Sequence, residues 1–261
     1  MTYCYYPGCT LKNKAKNFDY YMKEILNVFD IQFEEIDEWQ CCGGLYTNPS
    51  DIAKKLSAVR TLKYAHKKDM KLLTLCASCH NVLKRVNYDI KTNKKVRDTV
   101  NNYLEETDEY NGETTVVNFI ELVKNDIGYD NLAKKVKNPI NKKVASYYGC
   151  QLLRPSKIMN FDNSENPHIM QDIINALGGE SVKFAFQNEC CSSYASLTDE
   201  PNAKKHVDKI INDAKNNGAE LIVTACPVCL YNLKKYSDFP VYYITEIMAE
   251  CFDIKKYEEQ L

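Results

Sequence analysis

One cysteine pattern occurs twice in this chain, and it restricts the possible folds more than any other feature. The first copy is Cys9, the adjacent pair Cys41-Cys42, and Cys76-Ala77-Ser78-Cys79. The second is Cys150, Cys190-Cys191, and Cys226-Pro227-Val228-Cys229. The spacings nearly agree. The lone cysteine and the pair are separated by 31 and 39 residues, the pair and the Cys-x-x-Cys by 33 and 34. Ten of the twelve cysteines are used this way. Flanking blocks repeat too. Tyr5-Tyr6-Pro7-Gly8-Cys9 matches Tyr147-Tyr148-Gly149-Cys150 once the proline is set aside, and Leu73-Thr74-Leu75-Cys76 matches Val223-Thr224-Ala225-Cys226. A fourth block, Val116 to Leu122, parallels Val241 to Ile247. Such a duplication in 261 residues predicts two units, 1–140 and 141–261. Their boundary is expected in the polar stretch Asn125 to Lys142, which contains Pro139.

Within each unit, β-prone runs alternate with helical periodicity. Thr2 to Tyr6, Lys71 to Leu75, Lys143 to Tyr148 and Glu220 to Thr224 read as strands. Phe18 to Phe29 reads as a helix on the spacing of Tyr21, Ile25, Leu26 and Phe29. A second helix is opened by Pro49-Ser50-Asp51 and runs through Leu56, Val59 and Leu62. Its counterpart runs from Pro201 to Lys215, with Gly218 as the stop. The polar insertion Lys91 to Gly112 adds a helix and loop to the first unit. This order predicts an α/β fold of two tandem, homologous βαβ-type domains related by internal duplication and based on parallel sheets. In such sheets sites form beyond the carboxyl ends of the strands. The lone cysteine and the Cys-x-x-Cys each follow a predicted strand, so they converge although distant in sequence.

Charge and hydropathy narrow the partners. With 34 basic and 35 acidic residues, the net charge of −1 offers nothing to nucleic acid. No apolar run approaches the roughly 18 residues of a membrane helix, so membrane insertion is not expected. The opening residues lack a basic region followed by an apolar run, and the expected location is cytoplasmic. In a reducing cytosol, cysteines at repeated spacing point to metal or redox chemistry rather than structural disulfides, and a disulfide between adjacent cysteines would be strained.

Five sulfurs per copy exceed the four ligands of a tetrahedral zinc or a simple cubane. An iron–sulfur cluster with more iron atoms uses all five, and structural zinc is its main competitor. Cys76-Ala77-Ser78-Cys79-His80 also fits the haem-attachment pattern, but Leu230 stands at the equivalent place in the second copy and no export signal accompanies it. A thioredoxin-like dithiol explains one Cys-x-x-Cys and neither adjacent pair. Cys4 and Cys251 have no counterparts and read as packing residues. His80 reads as a polar residue at a helix start near the site; His66, His168 and His206 read as solvated. There is no dinucleotide or phosphate-loop motif and no ferredoxin cysteine run, so redox work requires a partner to deliver electrons.

The duplicated arrangement Cys-x31-Cys-Cys-x33-Cys-x-x-Cys resembles the cysteine-rich CCG domain family. In length and layout it resembles the B-type component of soluble heterodisulfide reductase. Other members are iron–sulfur subunits of lactate- and glycolate-oxidising systems and of thiol:fumarate reductase. The resemblance implies two noncubane [4Fe-4S] clusters. One would be held by Cys9, Cys41, Cys42, Cys76 and Cys79, the other by Cys150, Cys190, Cys191, Cys226 and Cys229. It implies a catalytic subunit that splits a small disulfide such as CoM-S-S-CoB into two thiols between the clusters. It also implies two partners from heterodisulfide reductase, the C-type component with ferredoxin-type clusters and the flavin-containing A-type component. The alternatives are an electron-transfer subunit of a lactate-, glycolate- or fumarate-linked oxidoreductase, and a zinc-stabilised interaction module. The second copy departs from the pattern: Ser192-Ser193 replaces Gly43-Gly44. Glycine permits positive φ, so the second loop is expected to differ in shape, with zinc in that site as the weaker alternative. No side chain is assignable as the proton donor.

Overall fold

The computed structural model describes residues 2–44, 52–104 and 108–258. A first sheet is built from β1 (Thr2–Tyr6), β2 (Gln32–Glu35), β3 (Lys71–Thr74) and β4 (Val116–Asn118). A second is built from β5 (Lys143–Tyr147), β6 (Glu180–Val182), β7 (Leu221–Thr224) and β8 (Val241–Tyr243). Every pairing is parallel, and the orders β2-β1-β3-β4 and β6-β5-β7-β8 are the same order in duplicate. This is the expected α/β architecture. The central strands carry unbroken apolar runs: Leu72 and Leu73 are buried in β3, and all of Leu221 to Thr224 in β7. Runs of that kind suit a parallel sheet covered by helices on both faces.

The helices follow the periodicity closely. Lys16–Val28 buries Phe18, Met22, Ile25 and Leu26 along one stripe. Glu200–Asn216 starts where the Asp199 carboxylate accepts from the Asn202 amide, and the chain leaves it through Gly218 at φ +88°. Its counterpart spans Ile52–Lys67; the opening signal Pro49-Ser50-Asp51 lies outside the described residues. The insertion forms the helix Lys94–Leu104. Among the described residues no helix is long and apolar enough to cross a membrane.

Strand register fixes how the copies correspond. Tyr6, Thr74 and Asn118 lie side by side at the carboxyl edge of the first sheet; Tyr147, Thr224 and Tyr243 do so in the second. Tyr6 therefore matches Tyr147, and Pro7 matches Tyr148 without a gap. The expected pairing of Tyr5 with Tyr147 is off by one residue, because adjacent tyrosines hid the register. The hydroxyls agree with the corrected pairing: Tyr6 donates to Gln40 O at 2.7 Å and Tyr147 to Glu189 O at 2.7 Å, each the carbonyl just before the cysteine pair.

The copies hold each other reciprocally. The last helix of the second, Ile244–Phe252, packs on Lys16–Val28 of the first. Phe252 meets Phe29 edge-on at 5.5 Å, and Thr245 Oγ1 donates to Phe18 O at 3.3 Å. In return, residues 123–134 of the first copy pack on Ile169–Ala176 of the second. These helices follow the fourth strand of one sheet and the first strand of the other.

Candidate functional site

In both sheets the last residues of the two central strands are in register, so the segments that follow leave from one edge. Strand order reverses there, between β1 and β3 and between β5 and β7, which is where doubly wound sheets open a crevice. Cys9 sits in the short helix Gly8–Leu11 after β1. Cys76 caps the helix Ala77–Thr92, with Cys79 in its first turn. Cys226 and Cys229 take the same places at the start of Pro227–Tyr236. A helix N-terminus favours negative charge, hence thiolate.

Glycine creates the room for sulfur. Gly8 has φ +71°, and a Cβ there would lie 3.0 Å from Cys79 Sγ; Gly149 has φ +63°, and its Cβ would lie 3.0 Å from Cys229 Sγ. The cysteine-pair loops agree as well, against expectation. Ser192 adopts φ +59°, beside +75° for Gly43. Its amide donates to Cys190 Sγ at 3.3 Å, as Gly43 N donates to Cys41 Sγ at 3.5 Å. The serine tolerates the left-handed region, which costs an L-residue about 1–2 kcal/mol, because the turn aims its N–H at sulfur.

The predicted site cysteines gather into two sets of five. In the first, Cys9 meets Cys41 at 3.6 Å and Cys42 meets Cys79 at 3.4 Å; contacts of Cys41 with Cys42 and of Cys79 with Cys76 complete the chain. In the second, Cys191 meets Cys229 at 3.4 Å, and Cys150, Cys190, Cys191, Cys229 and Cys226 are linked in the same order. None of the twelve cysteines is in a disulfide. Cys9 and Cys41 are exposed, Cys150 and Cys190 half-buried, and the other six site cysteines buried. Within each set some thiols are driven toward thiolate by S–H groups donated to them. Cys42 falls to about 4 through Cys41 and Cys79. Cys190 is pushed well down by Cys150 and Cys191, and Cys226 down by Cys229. Their donors Cys41, Cys79, Cys150, Cys191 and Cys229 are held as thiols. Cys4 and Cys251 stand apart, buried, and burial raises each to about 12.

The two sets face one another. The phenol of Tyr243 is completely buried and lies within 3.0 Å of Leu75 O and 3.1 Å of Ala225 O, the carbonyls just before Cys76 and Cys226. Nearer the surface, the Tyr194 hydroxyl contacts Ser78 Oγ at 3.4 Å, Gly44 O at 3.3 Å and Gln151 Nε2 at 3.4 Å, joining both copies. A crevice beside it is lined by Ser78, Gln151, Tyr194, Cys150, Cys190 and Cys226. A cleft of about 410 Å³ runs along the same joint; Thr10, Phe18, Pro227, Val228 and Tyr231 line it, with Lys14 and Lys234 at its rim. Thr10 neighbours Cys9, and Pro227-Val228 lies between Cys226 and Cys229.

The sequence singled out the cysteines but not Tyr243 or Tyr194, since nineteen tyrosines carry no mark of which ones cross the joint. His80 is completely buried rather than merely polar, its Nδ1 3.1 Å from Thr74 Oγ1, and burial lowers its pKa so that it stays neutral. His66 and His168 are exposed as expected, while His206 is half-buried.

A duplicated parallel α/β fold with a five-cysteine set at each sheet edge defines a cysteine-rich tandem repeat protein. The chain belongs to the CCG cysteine-rich domain family, whose model matches residues 3–84 and 144–234. It is 31% identical over 239 residues to the 8-methylmenaquinol:fumarate reductase membrane anchor subunit of Wolinella succinogenes, covering 90% of this chain and 83% of that one. It is 25% identical over 229 residues to the B component of the ferredoxin/F(420)H(2)-dependent CoB-CoM heterodisulfide reductase of Methanosarcina acetivorans, covering 86% and 76%. A crystal structure of a hypothetical protein from Helicobacter pylori shares the fold, with TM-score 0.69 at 14% identity; 98% of this chain spans 49% of that one.

Proposed function

We propose that this chain is the iron–sulfur subunit of a larger reductase complex, and that it cleaves a small disulfide into two thiols with two electrons and two protons. Cys9, Cys41, Cys42, Cys76 and Cys79 would hold one noncubane [4Fe-4S] cluster, and Cys150, Cys190, Cys191, Cys226 and Cys229 the other. The observation that carries this is the pair of five-sulfur chains, alike in order and facing across one joint. The donor set fits. Three of the five sulfurs in each set are buried, and as thiolate ligands they would require a cationic core to neutralise them. A lone zinc would leave a fifth sulfur idle.

When bound, such clusters supply single electrons and Lewis-acidic iron. The protein's own groups do the rest. Gly8 and Gly149 keep space beside the sulfurs, and the two helix N-termini stabilise their charge. The Tyr194 hydroxyl, at the mouth of the crevice, is the proton-carrying group best placed for the departing thiolates. The cleft beside Cys9 and Val228 gives the disulfide its approach. Electrons would come from partner proteins, and the resemblance to heterodisulfide reductase implies ferredoxin-type clusters and a flavin in them.

The test is iron and acid-labile sulfide analysis of anaerobically purified protein, followed by disulfide turnover with a reduced artificial donor. The CoB–CoM heterodisulfide named for the Methanosarcina relative is the first substrate to try. Zinc without sulfide would sink the proposal. The 31% identity to a component of a fumarate reductase favours a second reading, an electron-transfer subunit of a fumarate-linked oxidoreductase. Clusters without disulfide turnover would select it.

A further inference from the structure

The two sheets end in the same register, yet one pair of equivalent residues differs in kind. Asn118 lies beside Thr74, and Tyr243 lies beside Thr224. Their backbones do the same work: each amide donates at 2.8 Å to the carboxylate three residues on, Glu121 or Glu246. Their side chains do not. Asn118 turns back on its own helix and accepts from Ile120 N at 3.1 Å. Tyr243 crosses into the joint, stacks on Phe18 with ring centroids 4.4 Å apart, and places its hydroxyl between Leu75 O and Ala225 O.

A phenol has one proton, and here it has two acceptors at nearly equal distance. Each acceptor belongs to the peptide leading into a site cysteine that caps a helix. We propose that Tyr243 is a positioning residue that couples the two sulfur pockets, dividing one proton between the carbonyls before Cys76 and Cys226. The inference rests on the pockets holding iron–sulfur clusters. Burial raises the phenol pKa well above its ordinary value, so the hydroxyl remains a donor. Hydrogen bonding and local dipoles tune cluster potentials. When one pocket gains an electron, the proton swings to the carbonyl on that side, and the other pocket loses the same stabilisation. The two pockets therefore accept electrons at separated potentials, the first reduction hindering the second.

The experiment is an anaerobic redox titration of the iron-loaded full chain followed by EPR, with iron per chain measured alongside, for the wild type and Tyr243→Phe. The variant keeps the ring and its stack and removes only the shared proton. Iron content is expected to hold, the first reduction wave to move to lower potential while the second stays in place, and the gap between them to narrow. Retained iron with the first wave and the gap unchanged overturns the proposal. Should Tyr243→Phe fail to load iron, 3-fluorotyrosine at position 243 decides. It keeps the shape and strengthens the donor, so the first wave should move to higher potential and the gap widen, and an unmoved first wave overturns the coupling. A wild-type chain without iron overturns the cluster assignment, and this inference with it, so the two failures are told apart by the metal analysis.

Discussion

The joint between the copies is closed on one side and open on the other. On the closed side Asn81 donates to Gln151 O at 2.8 Å and to Arg154 O at 2.7 Å, and Lys84 donates to Met159 O. The equivalent residues on the open side, counted from the Cys-x-x-Cys and the lone cysteine, are Tyr231, Thr10, Asn13, Lys234 and Phe18. There Tyr231 is 67% exposed, Lys234 points to the rim, and the space is the cleft. Duplication made two joints of one kind, and a short amide filled only one of them. Access to the sulfur sites is thus set by a few side chains on an unaltered backbone plan.

Several substitutions break or sharpen this contrast. Replacing one buried sulfur is the most severe: Cys42→Ser and Cys191→Ser are each expected to lose about half of the iron, in opposite copies, by metal and sulfide analysis. Loss of all iron in either would show that neither pocket fills alone. Asn81→Ala strands two inward-facing carbonyls and should lower stability by about 2 kcal/mol in a denaturant titration. Tyr231→Ala, its partner in the comparison, should stay within about 0.5 kcal/mol. Gly149→Ala puts a methyl 3.0 Å from Cys229 Sγ at a positive φ, costing about 1–2 kcal/mol and weakening metal retention in the second pocket. Val228→Trp fills the cleft; the KM for a disulfide should rise roughly tenfold, equivalent to about 1.4 kcal/mol, while the melting temperature holds. Ser192→Gly relieves the left-handed serine and should stabilise the chain by less than about 1 kcal/mol with iron content unchanged.

Much of this was legible in the chain itself. The repeat, the parallel α/β class and the convergence of Cys9 with Cys76 and Cys79 follow from spacing, because strands of equal register deliver their successors to one edge. The turn at Ser192 is not legible, since composition ranks glycine first for positive φ without showing which backbone N–H needs to reach a sulfur. The joint was not readable at all. Tyr243 and Leu75 are 168 positions apart, and nothing local distinguishes a tyrosine that spans two sheets from one that fills a core. The cleft is harder still to foresee, being defined by what Tyr231 does not cover.

The crossed packing of the closing helices has a mechanical result. Each copy lends its final turns to its sister, Ile244–Phe252 in one direction and residues 123–134 in the other. Such a molecule is a fused, arm-exchanged pair, in which a clamshell swing works against two packed arms. Opening it would strip apolar surface from both lobes at once. The route to the sulfur atoms that leaves both arms packed is the side cleft.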